Sequence, residues 1–495
     1  MTALRMPARL AKWSLYLAGL VLVVLATIVL VYALQARARL ADLRPWHRVV
    51  LAEEFSAAKP GAPKTFEEYL ALEDRLFKEL HARVLDKDGT ADSWEVGRYN
   101  QHGIVGRLAL DTPYNRSYEI APQGEPRGSV LLVHGLSDSP YSMRAVAETF
   151  AAQGYHVVSL RMPGHGTLPS GLLDVSWKDW YAAVVLAAKY AAAKGGPGKP
   201  FVAAGHSTGA ALIALYSVRA LDDASLPRPT DIHLLSSAIG ISSFAALTNI
   251  ISGLSFLPAF EKSRWIDVLP EYDPYKYNSF PVNAANQIYR LTHVLQDTLD
   301  AHNTASLAGM PHMHVYHSIV DSTVTSSEVI HGLLARVPPG GHELVVFDIN
   351  RNETIDSLIA PAFLENIQRL RTAVLPFRLT LVANRDSSTR SVAAFVREPG
   401  ASGFSVAELP LEWPTGVFSV GHVSLPFPAD DPVYGLSSPV TQPQFNLGAI
   451  SAKGESGALV VGLGTFARLR SNPFFEVIRA NIIATTGAAG PDHSP

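Results

Sequence analysis

Short apolar runs alternate with helix-length stretches through the middle of this chain. Ser129–Val133, His156–Leu160, Pro200–Ala204, Ile232–Ser236, His312–His317 and Glu343–Phe347 are apolar runs, and those nearest the motifs below pass into glycine-rich or polar loops. Between them lie segments such as Tyr141–Gln153 and Trp177–Lys194, long enough for helices. Buried strands separated by helices predict a mainly parallel sheet covered on both faces. Ligands of such sheets bind beyond the carboxyl ends of the strands. Further on, Phe377–Ala383 and Thr389–Val396 predict two added strands, and Gly416–Val420 a third.

Upstream, Thr65–Leu85 sets Tyr69, Leu72, Leu76, Phe77 and Leu80 at helical spacing, with acidic residues early and basic ones late. The preceding SAAKPGAPK has the composition of a linker. The start of the chain differs again. Residues 13–36 carry no charge, and Trp13, Tyr16 and Tyr32 sit near the ends of that run. About 20 apolar residues span a bilayer core, so the pattern predicts a transmembrane helix over 13–36 after a short flank, 1–12. A cleaved signal peptide would be shorter, and its one candidate site, Ala36-Arg37-Ala38, is poor. Arg5, Arg9 and Lys12 before the run nearly balance Arg37, Arg39 and Arg44 after it. The expectation is a single-pass protein of the inner or cytoplasmic membrane, with its amino terminus in the cytoplasm and its body outside.

Composition narrows the classes. The 495 residues are 47% hydrophobic, as in a globular chain, and the net charge of -3 offers no footprint for nucleic acid. Zero cysteines exclude disulfides, thiolate metal sites and a cysteine nucleophile. There is no P-loop, dinucleotide fingerprint or zinc signature. His312 and His314 share one strand face while His317 falls on the other, so they make no ligand set.

Gly205-His206-Ser207-Thr208-Gly209 brings in chemistry. G-x-S-x-G follows the strand FVAA and precedes the helical GAALIALYSVRAL. That is the setting of a nucleophile elbow, in which Gly205 and Gly209 flank a sharp turn that lifts Ser207 out of the loop. Together with Val133-His-Gly-Leu-Ser137 and Leu160-Arg-Met-Pro-Gly-His-Gly-Thr167, in this order, the motif resembles the α/β-hydrolase family. The likeness is strongest to its monoacylglycerol-lipase, carboxylesterase and serine-aminopeptidase branch, and covers residues 115–335 best. It implies an α/β-hydrolase fold over 116–482, with a helical cap at about 241–305 and a β-rich extension at about 375–460. Residues 37–115 are then a linker and amphipathic region, and 483–495 a disordered tail. The cap would include Ile250–Leu257 and the aromatic stretch Tyr272–Phe280; an apolar cap suits acyl chains, although these aromatics equally suit the cap's own core.

The resemblance also implies roles. Backbone N–H groups must meet the charge that develops on an acyl oxygen. Thr208, after the nucleophile, and Leu136, in the loop after the strand ending at Val133, are the expected oxyanion donors. His134 is expected to be structural, His206 to point away from Ser207, and His165 either to line the pocket or to fix its loop. The family's order of serine, acid, histidine places the acid at Asp321, with Asp348 as competitor.

The histidine departs from the pattern. The family carries it after the last core strand, but Asp348–Thr354 contains none. His342 precedes that strand, and His331 lies in a helix-like stretch. His422, beyond Gly421 and the run Gly416–Val420, is the expected base. These residues predict a membrane-anchored serine esterase acting on small-molecule or lipid esters with no cofactor. A peptidase of the same fold, and a non-catalytic scaffold on a decayed one, are the competing readings. The oligomeric state stays open.

Overall fold

A computed structural model describes residues 8–86, 94–240, 258–321, 325–352, 361–437, 445–448 and 468–487, with 462 and 464. The strands in chain order are β1 Tyr118–Ile120, β2 Gly128–Val133, β3 Tyr155–Leu160, β4 Phe201–His206 and β5 Asp231–Leu235, then a short pair, β6 Trp265–Asp267 and β7 Phe280–Pro281. They continue as β8 His312–Ser318, β9 Glu343–Phe347, β10 Arg378–Asn384, β11 Ser391–Arg397 and β12 Ser405–Glu412.

All but β6 and β7 form one ten-stranded sheet in the order β1-β3-β2-β4-β5-β8-β9-β10-β11-β12. The strands from β3 to β10 run parallel, and β1, β11 and β12 join antiparallel at the two ends. Every residue of β2, β3 and β4 is buried. That is why these strands are continuous apolar runs and do not alternate.

The pleat sends alternate residues into two apolar layers. Leu131 and Val133 pack with the helices Trp177–Gly195, Thr208–Asp222 and Val282–Asp300. Val130 and Leu132 pack on the other face with the helices Arg144–Ala152 and Phe475–Gly487. Both faces are therefore covered, and functional loops are left to the strand ends.

Upstream, the helix Phe66–Leu80 starts at Thr65, whose hydroxyl accepts the Glu68 N–H. It is tied to the carboxyl end of β3 by ion pairs. Arg161, just past β3, bonds Glu73 at 2.7 Å and Glu54 at 3.1 Å.

Two expectations change. Gly416–Val420 is not a strand: the third added strand is β12, paired with β11. Its sequence SVAELPLE carries two glutamates and a proline, as suits a mostly exposed edge strand, so it lacks the apolar run used to find its neighbours. The closing helix runs to Gly487, past the expected start of the tail at 483. Residues 488–495, and Ile250–Leu257 of the expected cap, lie outside the described residues.

The membrane expectation is also corrected. Among the described residues, no helix is long and apolar enough to cross a membrane. The first helix, Ala8–Arg39, contains the expected span 13–36, and over its described residues it is not such a helix. The span, the membrane as partner and the placement of the body outside the cytoplasm rested on that run, and they fall with it.

Candidate functional site

The elbow forms where β4 ends at His206 and the helix Thr208–Asp222 begins. Ser207 between them takes φ 53°, a left-handed conformation that costs a non-glycine residue about 1–3 kcal/mol. Its neighbours hold it there: Ser207 N–H donates to Leu235 O (2.9 Å), and Ser207 O accepts the Ala238 N–H (3.2 Å). The flanking glycines serve clearance, not strain relief. A Cβ at Gly209 would lie 2.1 Å from Val133 O, and one at Gly205 2.5 Å from Ala210 N. The helix therefore abuts β2 so closely that only hydrogen fits.

His422 Nε2 lies 3.0 Å from Ser207 Oγ, and its Nδ1 lies 2.7 Å from Asp321 Oδ2. The three residues expected as nucleophile, base and acid thus meet, although 215 positions separate the first pair. Asp321 follows β8 and is buried. His422 arrives on a segment that leaves β12 and crosses back over the strand ends. Asn350, beyond β9, donates from its N–H to Phe418 O (2.7 Å) and from Nδ2 to Val417 O (3.0 Å). Ser318, ending β8, donates to Val420 O (2.5 Å), and Ser236, after β5, to His422 O (3.1 Å). His206 Nε2 lies 3.3 Å from the same His422 oxygen. Sequence reasoning missed Ser236, Ser318 and Asn350, because an isolated polar residue at a strand end carries no pattern.

The loop after β2 lies beside the serine. His134 accepts the Met162 N–H at Nε2 (3.0 Å) and donates from Nδ1 to Gly135 O (2.8 Å). Burial pushes its imidazole down to about 4, which suits this neutral double role. Ser137 in this loop also has positive φ, 62°, and its carbonyl accepts the Tyr277 N–H. Asp138 faces His206 at 3.4 Å and Lys276 at 3.4 Å, and Lys276 leads the factors that hold its carboxyl below the usual range against the cost of burial. Among the described residues, neither Leu136 nor Thr208 has an acceptor for its N–H. Thr208 opens its helix, where that group has no intrahelical partner.

The other candidates lie elsewhere. Asp348 is tied to Arg351 (3.1 Å) and Arg371 (3.4 Å). His342 accepts the Met313 N–H at the amino end of β8 (3.2 Å). His331 sits on the helix Ser326–Gly332. His165 is buried against Pro163 O and Trp180, fixing its loop. His314 lies between Asp231 and Glu343, and His317 is buried 4.0 Å from Asp321. The aromatics Tyr272, Tyr275 and Tyr277 are buried; Tyr275 stacks on Tyr141 at 3.9 Å, and Tyr277 donates its hydroxyl to Gly164 O.

The family described as serine aminopeptidase, S33 matches residues 124–247, the stretch from just before β2 to beyond the elbow and β5. With the strand order and the strained serine, this decides the architecture. The fold is an α/β-hydrolase. The chain is 46% identical over 55 residues to a thermostable monoacylglycerol lipase from Bacillus sp. (strain H-257), a match covering 11% of this chain and 22% of that lipase. Among solved structures, a metagenome-derived lipolytic enzyme is 20% identical, with TM-score 0.36, over 53% of this chain and 99% of its own. The monoacylglycerol lipase of Paleococcus ferrophilus is 15% identical, with TM-score 0.35, over 47% of this chain and 89% of its own. Strand order, not these scores, carries the fold.

Proposed function

We propose that this α/β-hydrolase cleaves carboxylic esters of lipid or acylglycerol type through a serine acyl-enzyme. The supporting observation is the continuous line from Ser207 Oγ through His422 to Asp321, at 3.0 and 2.7 Å. In this reading Ser207 Oγ attacks the ester carbonyl carbon while His422 Nε2 takes its proton. Asp321 accepts the Nδ1–H bond, holds the tautomer and stabilises the imidazolium. The N–H groups of Leu136 and Thr208 receive the charge that gathers on the carbonyl oxygen; losing one such donor costs about 10²–10³ in rate. His422 returns the proton to the departing alcohol, then activates the water that hydrolyses the acyl-enzyme.

The lipid class draws on the lipase similarity alone, over its short span. A serine peptidase is the second reading, favoured by the printed description of the matching family. The test is hydrolysis of short- and long-chain p-nitrophenyl esters beside an aminoacyl p-nitroanilide, by the full chain and by Ser207→Ala, His422→Ala and His342→Ala. The expected result is ester cleavage that falls about 10⁴-fold in the first two variants and persists in the third. Anilide cleavage with idle esters would move the peptidase ahead. A parent that neither turns over nor takes up a fluorophosphonate would leave a non-catalytic protein on this fold.

A further inference from the structure

The relocated base depends on its main chain as well as its ring. Gly421, just before His422, gives this segment little stiffness of its own, and its N–H is spent locally on Ser424 Oγ (2.9 Å). Two strand-end serines hold the carbonyls on either side of that glycine: Ser318 holds Val420 O, and Ser236 holds His422 O.

Ser236 is the more informative of the two. It is fully buried and sits at φ 48°, in the left-handed region that a serine adopts only under constraint. Its N–H donates to Tyr316 O (2.9 Å), which fixes this conformation and aims the hydroxyl across the end of β4 at the base. A glycine would hold the same backbone without strain. The strained serine thus stands where its hydroxyl meets the carbonyl of His422, which His206 Nε2 also approaches at 3.3 Å.

We propose that Ser236 is a positioning residue for His422, holding the carbonyl of the base so that its ring spans Ser207 and Asp321. This rests on His422 being the base and adds a residue that acts through it. Glycine separates the two roles that Ser236 could have, because Ser236→Gly removes the hydroxyl while relieving the backbone. If the serine only fills space, Ser236→Gly has an unchanged or higher Tm and unchanged turnover. If it positions the base, Tm holds or rises while kcat falls about five- to tenfold, the worth of one hydrogen bond, with KM unchanged. Ser236→Ala, which keeps the strain, should lose the same kcat at a lower Tm than the glycine variant. Ser318→Ala gives a second, independent loss of hold on the segment.

A readout that needs no turnover completes the test: the ring-nitrogen resonances of His422 in histidine-labelled protein, assigned by their absence from His422→Gln. In the parent they should report one fixed Nδ1–H tautomer, and in Ser236→Gly a mixture. A tautomer released by Ser236→Gly in a chain without ester turnover would uphold the positioning role and sink the esterase reading. Unchanged kcat and an unchanged tautomer in both Ser236→Gly and Ser318→Ala would overturn the proposal and leave the esterase reading standing.

Discussion

Ser207 carries strain that a glycine would not, and its neighbours are glycines for a different reason. The peptide oxygens of Val133 and His134 lie where a Cβ at Gly209 would go, at 2.1 and 2.6 Å. Gly209→Ala must therefore push the helix Thr208–Asp222 off β2, and backbone atoms yield poorly. The expected outcome is a destabilisation of several kcal/mol, in the range of severe overpacking, with loss of fluorophosphonate labelling at Ser207. Urea denaturation followed by circular dichroism checks it; a Gly209→Ala protein as stable as its parent would refute the close approach. The glycines were legible in the sequence as an elbow, but their purpose was not, because only the fold brings β2 against them.

At the scale of elements, the amphipathic helix Phe66–Leu80 was legible from its spacing, and its attachment was not. Arg161 is fully buried and spans two carboxylates, Glu73 and Glu54, that lie far away along the chain. Breaking one side of a buried pair leaves an uncompensated charge, at a cost of about 3–5 kcal/mol. Arg161→Met should therefore lower stability by that order. Adding Glu73→Gln and Glu54→Gln should recover much of it, since no lone carboxylate then remains buried. Chemical denaturation of the single and triple variants measures both; equal losses in the two would mean that packing, not charge, holds the helix. The strand elements divide in the same way. Buried β2, β4 and β9 announced themselves as apolar runs, whereas edge strand β12, mostly exposed and broken by Pro410, did not.

For the whole molecule, burial of uncharged imidazoles sets the response to acid. Burial pushes His134, His317 and His342 down to about 4 and His47 down to about 3, from an ordinary value of 6.5. A base whose folded pKa is depressed contributes stability above its unfolded value and loses it as pH falls towards the folded one. For His134 and His317 that is roughly 3 kcal/mol each, surrendered between about pH 6.5 and 4. Glu271 opposes this: burial raises its carboxyl to about 7, so its unfavourable ionisation grows as pH rises from 4.5 through 7. Glu73, Asp273, His312 and His314 are also raised and act in the same sense, but the lowered histidines, which include His165, His206 and His233, outnumber them all, and Tm should change little above pH 7 and fall below 6.5. His134→Asn should show a shallower acid slope than the parent; equal slopes would mean that His134 is not held neutral.

Local pattern determined much of this protein. Residues adjacent in sequence make a strand, a helix and the turn between them, so the parallel core and the elbow with Ser207 could be placed from the chain alone, whereas Asp321 was expected only through the serine, acid, histidine order that the family resemblance implies. His422 was nominated by elimination and by its place after the run Gly416–Val420, and that run is not a strand. Four strand ends, at His206, Ser236, Ser318 and Asn350, decide where its segment lies, and hydrogen bonds between positions so far apart leave no periodicity in sequence. The first helix shows the converse. An uncharged run is a local signal that predicted a membrane span, and among the described residues no helix is long and apolar enough to cross a membrane.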